Sequence, residues 1–166
     1  VFVATNDGYL HAIDGRNNGG NELWAFIPSE LLPRLNSLRT NDPPNSKQYG
    51  LDGNLRIYRT DENGNGAVDG DDVVVLVFGM GRGGSNYYAL DVTNKSSPRL
   101  LWRRGAGDTL VGLGQSWSTP SIGKIRLNGV EKTVAVIGGG YDPTQDNVAY
   151  NTDDVGNRIF IVDLFT

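Results

Sequence analysis

The sequence predicts an all-β fold, a β-propeller of four-stranded blades, with the chain as an excerpt of a longer propeller holding one complete blade and two partial ones. Three observations lead there. Short runs of β-branched and aromatic residues alternate with Gly-, Asn- and Asp-rich turns, and the 166 residues include 23 glycines, which suits many short strands rather than helices. A strand ending in aspartate recurs as Leu10-His11-Ala12-Ile13-Asp14, Tyr87-Tyr88-Ala89-Leu90-Asp91 and Ile159-Phe160-Ile161-Val162-Asp163. A Leu-Trp pair follows it twice, at Leu23-Trp24 and Leu101-Trp102. Such four-stranded units, repeated about an axis, build a propeller. The step is 77 residues from Asp14 to Asp91 and 72 from Asp91 to Asp163. That exceeds the ~40–50 residues of a usual blade, the excess lying in a proline loop, a central acidic loop and an insertion over 141–157.

Residues 1–5 read as a strand, Asn6-Asp7-Gly8 as a tight turn and 9–14 as the return strand. A Gly- and Asn-rich turn leads to a strand over 22–26, closing a partial blade at 1–26. Ser29 is a candidate N-cap for a short helical turn over 29–32, which Pro33 would limit. Residues 36–48 are polar and contain prolines, so 27–48 reads as a helical turn and surface loop. A full blade spans 49–103, with strands within 49–59 and over 73–80, 86–91 and 99–102. The last partial blade, 117–166, has strands at 117–125, 132–137 and 158–163. Incomplete first and last blades leave open sheet edges, which isolated proteins seldom tolerate; hence the expectation of an excerpt.

The full blade carries the most specific motif, over residues 61–72. Asp61, Asn63, Asn65 and Asp69 put side-chain oxygen at positions 1, 3, 5 and 9, Ala67 offers its carbonyl at 7, Gly66 falls at 6 and Asp72 at 12. Calcium takes six to eight oxygen ligands, and a loop with this spacing supplies them. Asp72 is shorter than the usual bidentate glutamate, and both flanks read as strands. The expectation is a calcium loop on a β-hairpin, with Asp61, Asn63, Asn65, Ala67, Asp69 and Asp72 as ligands. The competing reading is a polar Asn-Gly turn with solvated acids.

Composition narrows the partners. Fifteen Lys and Arg against nineteen Asp and Glu give a net charge of −4, so no basic stripe is available for nucleic acid. No cysteine occurs, which removes disulfides and thiolate chemistry. No apolar run approaches the ~20 residues of a membrane span.

The repeat of hydrophobic strand, glycine turn, Ala-x-Asp and Leu-Trp resembles quinoprotein-like propellers in general. More specifically, Asn6-Asp7-Gly8-Tyr9-Leu10-His11-Ala12-Ile13-Asp14 and Phe78-Gly79-Met80-Gly81-Arg82-Gly83-Gly84 with the strand to Asp91 resemble the PilY1/PilC β-propeller family of type IV pili. Gly139 departs from the Gly-Asn-Gly-Tyr stretch usual in that family. The resemblance covers essentially the whole chain. It implies a calcium loop matched by Asp61, Asn63, Asn65, Ala67 and Asp69. It further implies a secreted protein at the pilus tip or outer membrane of a Gram-negative bacterium, promoting pilus extension over retraction and serving adhesion and twitching motility. Its partners would be pilus components such as minor pilins and the host-cell surface. The Arg-Gly-Asp triplet of some relatives is missing, since Arg104-Gly105 is followed by Ala106.

The remaining residues have structural readings. His11, the single histidine, aligns with Tyr88 and Phe160 and reads as a ring slot, since no oriented partner for a general base is legible. Asp14, Asp91 and Asp163 read as Asx turns, Trp24 and Trp102 as inter-blade packing, Gly81-Arg82-Gly83-Gly84 as a turn, and 141–157 as a flexible surface insertion. Trp117 is assigned no role. A non-enzymatic pilus factor is therefore expected. The alternatives are an excerpt of a pyrroloquinoline-quinone dehydrogenase, for whose repeat Ala12 to Trp24 is two residues too long, and a scaffold propeller with purely structural calcium.

Overall fold

The computed structural model describes residues 1–41, 47–147, 149 and 151–166. Among the described residues, ten strands form three antiparallel sheets, each with its strands in chain order. The first sheet holds β1 (Phe2–Ala4), β2 (Leu10–Ile13) and β3 (Glu22–Phe26). The second is four-stranded, with β4 (Leu55–Arg59), β5 (Val74–Gly79), β6 (Asn86–Asp91) and β7 (Arg99–Gly105). The third holds β8 (Ser121–Leu127), β9 (Val130–Gly138) and β10 (Ile159–Asp163).

The middle sheet explains why its inner strands are so apolar. β5 and β6 are covered on both faces, so they read as near-continuous hydrophobic runs, while β4 and β7 at the edges carry charge. Alternate residues serve opposite sides. Val75, Val77, Tyr87 and Ala89 pack with Trp102, Ala135, Ile137, Val162 and Leu164, joining the second sheet to the third. Leu76, Phe78, Tyr88 and Leu90 face Leu10, Phe26 and Trp24 of the first sheet, with Leu31 and Leu51 beneath. Phe78 and Tyr88 are direct cross-strand partners with rings stacked 5.5 Å apart, and Phe26 meets both edge-on.

The sequence repeat is also a structural one. The register shifts between Ala12 and Ile13 in the first sheet and between Ala89 and Leu90 in the second, the same step of the repeat. Ala12 pairs with Trp24 and Ala89 with Trp102. Each indole N–H then crosses to the following sheet: Trp24 donates to the Lys95 carbonyl and Trp102 to that of Leu164, both at 2.9 Å. Packing between sheets, as expected of both tryptophans, thus comes with a directed bond, which for Trp102 satisfies a polar tip in an apolar setting and for Trp24 lies at the exposed rim.

Three local expectations need correction. Residues 35–40 of the expected helical-turn and loop segment form a short helix, α1 (Leu35–Thr40), after a 3₁₀ turn over Ser29–Arg34; within the rest of that segment, 42–46 lie outside the described residues. Ser29 is not the N-cap. Pro28 holds that place, and the Ser29 hydroxyl turns to Glu30 instead of a backbone N–H. Pro33 sits inside the 3₁₀ turn without ending the helical path. The segment is fixed by long-range contacts that local propensity does not encode: the Arg34 guanidinium donates to the carbonyls of Tyr49 and Gly83, and Arg103 reaches Glu30 at 2.5 Å. The opening strand of the third sheet begins at Ser121 rather than at Trp117, because Gln115 and Ser116 bridge instead to Tyr141 and Gly81.

Candidate metal centre

The loop between β4 and β5 is closed at its neck by the Thr60 N–H on the Val73 carbonyl at 3.0 Å and the Val73 N–H on the Thr60 hydroxyl at 2.8 Å. Beyond that neck no regular structure forms. Gly64 and Gly66 take φ values of +69° and +77°, a left-handed conformation that favours residues without a Cβ, and the chain coils so that its side-chain oxygens accept its own N–H groups.

The donors at positions 1 to 9 converge. Asp61 accepts the N–H groups of Asn65 and Gly66 at 3.1 and 3.0 Å. The amide oxygens of Asn63 and Asn65 accept from Asn65 and Ala67, while their Nδ2 groups both donate to Asp69, at 2.8 and 2.7 Å. Arg59, at the end of β4, donates to the Ala67 carbonyl at 2.7 Å and lies 3.8 Å from Asp61. Asn63, Asn65 and Asp69 are therefore in direct contact, and Asp61 and Ala67 are joined through one guanidinium.

Asp72 plays a different part. It is 4% exposed, and its two oxygens accept the N–H groups of Glu62 and Asp69 at 2.8 and 3.2 Å. Those bonds tie the start of the loop to its end. Asp72 is thus a buried brace across the loop, whereas Asp61, whose oxygens also accept two N–H groups, holds only its first turn.

The donor set suits a hard cation. It is all oxygen: carboxylates at Asp61 and Asp69, amides at Asn63 and Asn65, and the Ala67 carbonyl. Each amide oxygen accepts a single N–H and keeps a second lone pair. Among the described residues no three His, Cys, Asp or Glu side chains gather as a metal cluster, and this loop would meet a cation with two carboxylates and neutral oxygens instead. A surface cleft lined by Asn6, Leu31, Arg34, Leu38 and Tyr49 shares no residue with the loop.

Elsewhere the structural readings can be checked residue by residue. Asp14, Asp91 and Asp163 accept the N–H groups of Arg16, Thr93 and Phe165 two positions on, which makes each an Asx turn. Each also holds a cation: Arg16, Arg99 and Lys132 respectively. The Arg16 hydrogen bonds hold the Asp14 carboxyl at about 2. His11 does have an oriented partner, contrary to the sequence reading, since its Nδ1 lies 2.5 Å from Glu22 across the β2–β3 hairpin. Trp117 stacks on Arg82, whose guanidinium also covers Tyr49, at 5.0 and 5.1 Å. Gly81 to Gly84 form the expected turn, with Gly83 N–H on the Met80 carbonyl at 3.1 Å.

In the 141–157 insertion Asp142, 4% exposed, gathers the N–H groups of Thr144, Asp154 and Val155 and the Thr144 hydroxyl. The backbone bond from Thr144 is the leading cause that lowers its carboxyl from the usual aspartate range. The carboxylate thus pins a segment read from sequence as a flexible insertion; Val148 and Tyr150 lie outside the described residues.

Consecutive antiparallel sheets, one of four strands flanked by two of three, that share cores face to face, with an oxygen-lined loop on one hairpin, define a β-propeller segment. A sequence model of the PilY1 beta-propeller domain matches residues 1–166. The chain belongs to that family. It is 38% identical over 151 residues to a type IV pilus biogenesis factor PilY1 homolog of Xylella fastidiosa, covering 89% of this chain and 11% of that protein. It is 34% identical over 150 residues to the type IV pilus biogenesis factor PilY1 of Pseudomonas aeruginosa strain PAO1, covering 90% of this chain and 12% of that protein. The crystal structure of the Pseudomonas aeruginosa PilY1 C-terminal domain superposes with a TM-score of 0.65 at 30% identity, over the whole of this chain and 28% of that one. The chain therefore spans a small part of the relatives it matches.

Proposed function

We propose that this chain is the calcium-responsive propeller segment of a non-enzymatic type IV pilus biogenesis factor at the surface of a Gram-negative bacterium. In this reading one Ca2+ is held by Asp61, Asn63, Asn65, the Ala67 carbonyl and Asp69, with Asp72 bracing the loop from behind and reaching the ion at most through water. The observation that supports the proposal is the hydrogen-bond network that ties Asp61, Asn63, Asn65, Ala67 and Asp69 together through Arg59 and the two asparagine amides. The family supplies the setting, since its relatives are named as pilus biogenesis factors.

The mechanism is electrostatic. Without the ion the loop is held only by its internal hydrogen bonds and Arg59. With it, the Asp61 and Asp69 charges are neutralised together and the loop presents one fixed surface to a partner. That partner would be a minor pilin or a host-cell surface component, and its engagement would bias the pilus toward extension and attachment. A bound ion also stabilises the fold by mass action, about 2.7 kcal/mol at a hundredfold excess over Kd.

Calcium titration by calorimetry on the intact protein tests this. Single-site binding abolished by Asp61→Ala or Asp69→Ala is expected, an affinity loss of at least about 100-fold. A folded protein that takes up no calcium would reduce the loop to a turn.

A further inference from the structure

Arg59 stands where a bound cation would draw its ligands. It is the last residue of β4, paired with Val74, so a strand of the middle sheet fixes its backbone. From there its guanidinium reaches over the loop to the Ala67 carbonyl at 2.7 Å and to Asp61 at 3.8 Å. These are two of the oxygens assigned above to calcium, and Arg59 is the group that joins them. A divalent ion on the same oxygens would lie within a few ångströms of the guanidinium, where like charges repel.

We infer that Arg59 is the resident cation of the ion-free loop, so that calcium and the Arg59 guanidinium compete for the Asp61 and Ala67 oxygens. The inference rests on the calcium reading above and gives it a regulatory element. Two effects follow. In the absence of metal, Arg59 keeps the loop close to its coordinating shape, since it neutralises Asp61 and occupies the carbonyl. In its presence, Arg59 has to swing into solvent. Its side chain is 38% exposed and has an outlet to water. The displacement lowers affinity and sets the calcium concentration at which the loop responds. Because one competitor is a partly exposed charge, the competition depends on ionic strength.

The test compares wild type, Arg59→Gln and Arg59→Lys as intact proteins, by calorimetric titration with calcium chloride, with melting in EDTA as the check on folding. Arg59→Gln removes the charge from an exposed strand end and is expected to bind calcium roughly three- to tenfold tighter at low salt. The gap should narrow as salt is raised. Arg59→Lys keeps a positive charge near Asp61 and should stay close to wild type. A folded Arg59→Gln protein that binds calcium no more tightly than a binding-competent wild type overturns the competition and leaves the calcium site standing. If neither protein binds calcium, the calcium reading fails and this inference falls with it.

Discussion

Two hairpins of this chain join a first strand to a second at equivalent places in their sheets, and they do so in opposite ways. β8 turns into β9 through Asn128 and Gly129 alone, with Leu127 paired to Val130 and both turn residues at positive φ, +51° and +81°. That is the two-residue geometry whose twist matches the flanking strands. β4 turns into β5 through residues 61–72, held at the neck by Thr60 and Val73. Chain reversal needs two residues, and the rest of the long loop serves something else. Its carboxylates and amides are spent on holding one another in place, whereas the short turn carries no side-chain bond among those described.

The comparison can be broken or sharpened by experiment. The largest effect expected is from Asp72→Ala. It leaves the Glu62 and Asp69 N–H groups without their carboxylate partner and should cost about 2 kcal/mol in urea unfolding with EDTA present; no change would mean that the brace is idle. Replacing residues 61–72 with Asn-Gly should do the opposite. It deletes those N–H groups together with their partner and shortens the closed loop, so stability in EDTA should rise by about 1.5 kcal/mol while any calcium response disappears. A strongly destabilised protein would show that the loop supports the fold. Gly129→Ala places a Cβ on a left-handed residue and should lower the melting temperature, by about 1 kcal/mol of stability, whereas a neutral result would mean that the short turn adapts.

The smallest effect concerns acid and the Asp142 hub. Its folded carboxyl titrates below the unfolded value, so its contribution is complete above that value and fades as the pH falls through the folded one. Amide protection at Asp154 and Val155 should therefore drop only as the pH falls below the ordinary aspartate value, ahead of the β5–β6 core. Uniform loss of protection across both regions would remove the hub's special role.

Much of the fold was legible because its signals are local. Continuous apolar runs announced β5 and β6, the recurring aspartates gave Asx turns that depend on a residue two places on, and the tryptophan repeat located the seams between sheets. What escaped depends on distant partners. Nothing near Leu35 announces a helix, which is held by Arg34 reaching Tyr49 and Gly83. His11 meets Glu22 only through the β2–β3 register. Asn128-Gly129 was a readable signal overlooked between two stronger strands. In the loop, spacing alone drew Asp61 to Asp69 together, but the role of Asp72 and the hold of Arg59 on Ala67 depend on where the chain doubles back.

The crossing indole bonds carry a consequence for how this molecule comes apart. Trp102 commits its donor to the Leu164 carbonyl inside a core that two sheets line, and Trp24 commits its own to the exposed β6–β7 loop of the next sheet. Opening one sheet strips its neighbour of a hydrogen-bond donor and of one wall of its interior, so the sheets cannot melt as independent modules. Their unfolding should be a shared event, and scanning calorimetry is expected to give a single peak whose calorimetric and van't Hoff enthalpies agree; two resolved peaks would separate the sheets.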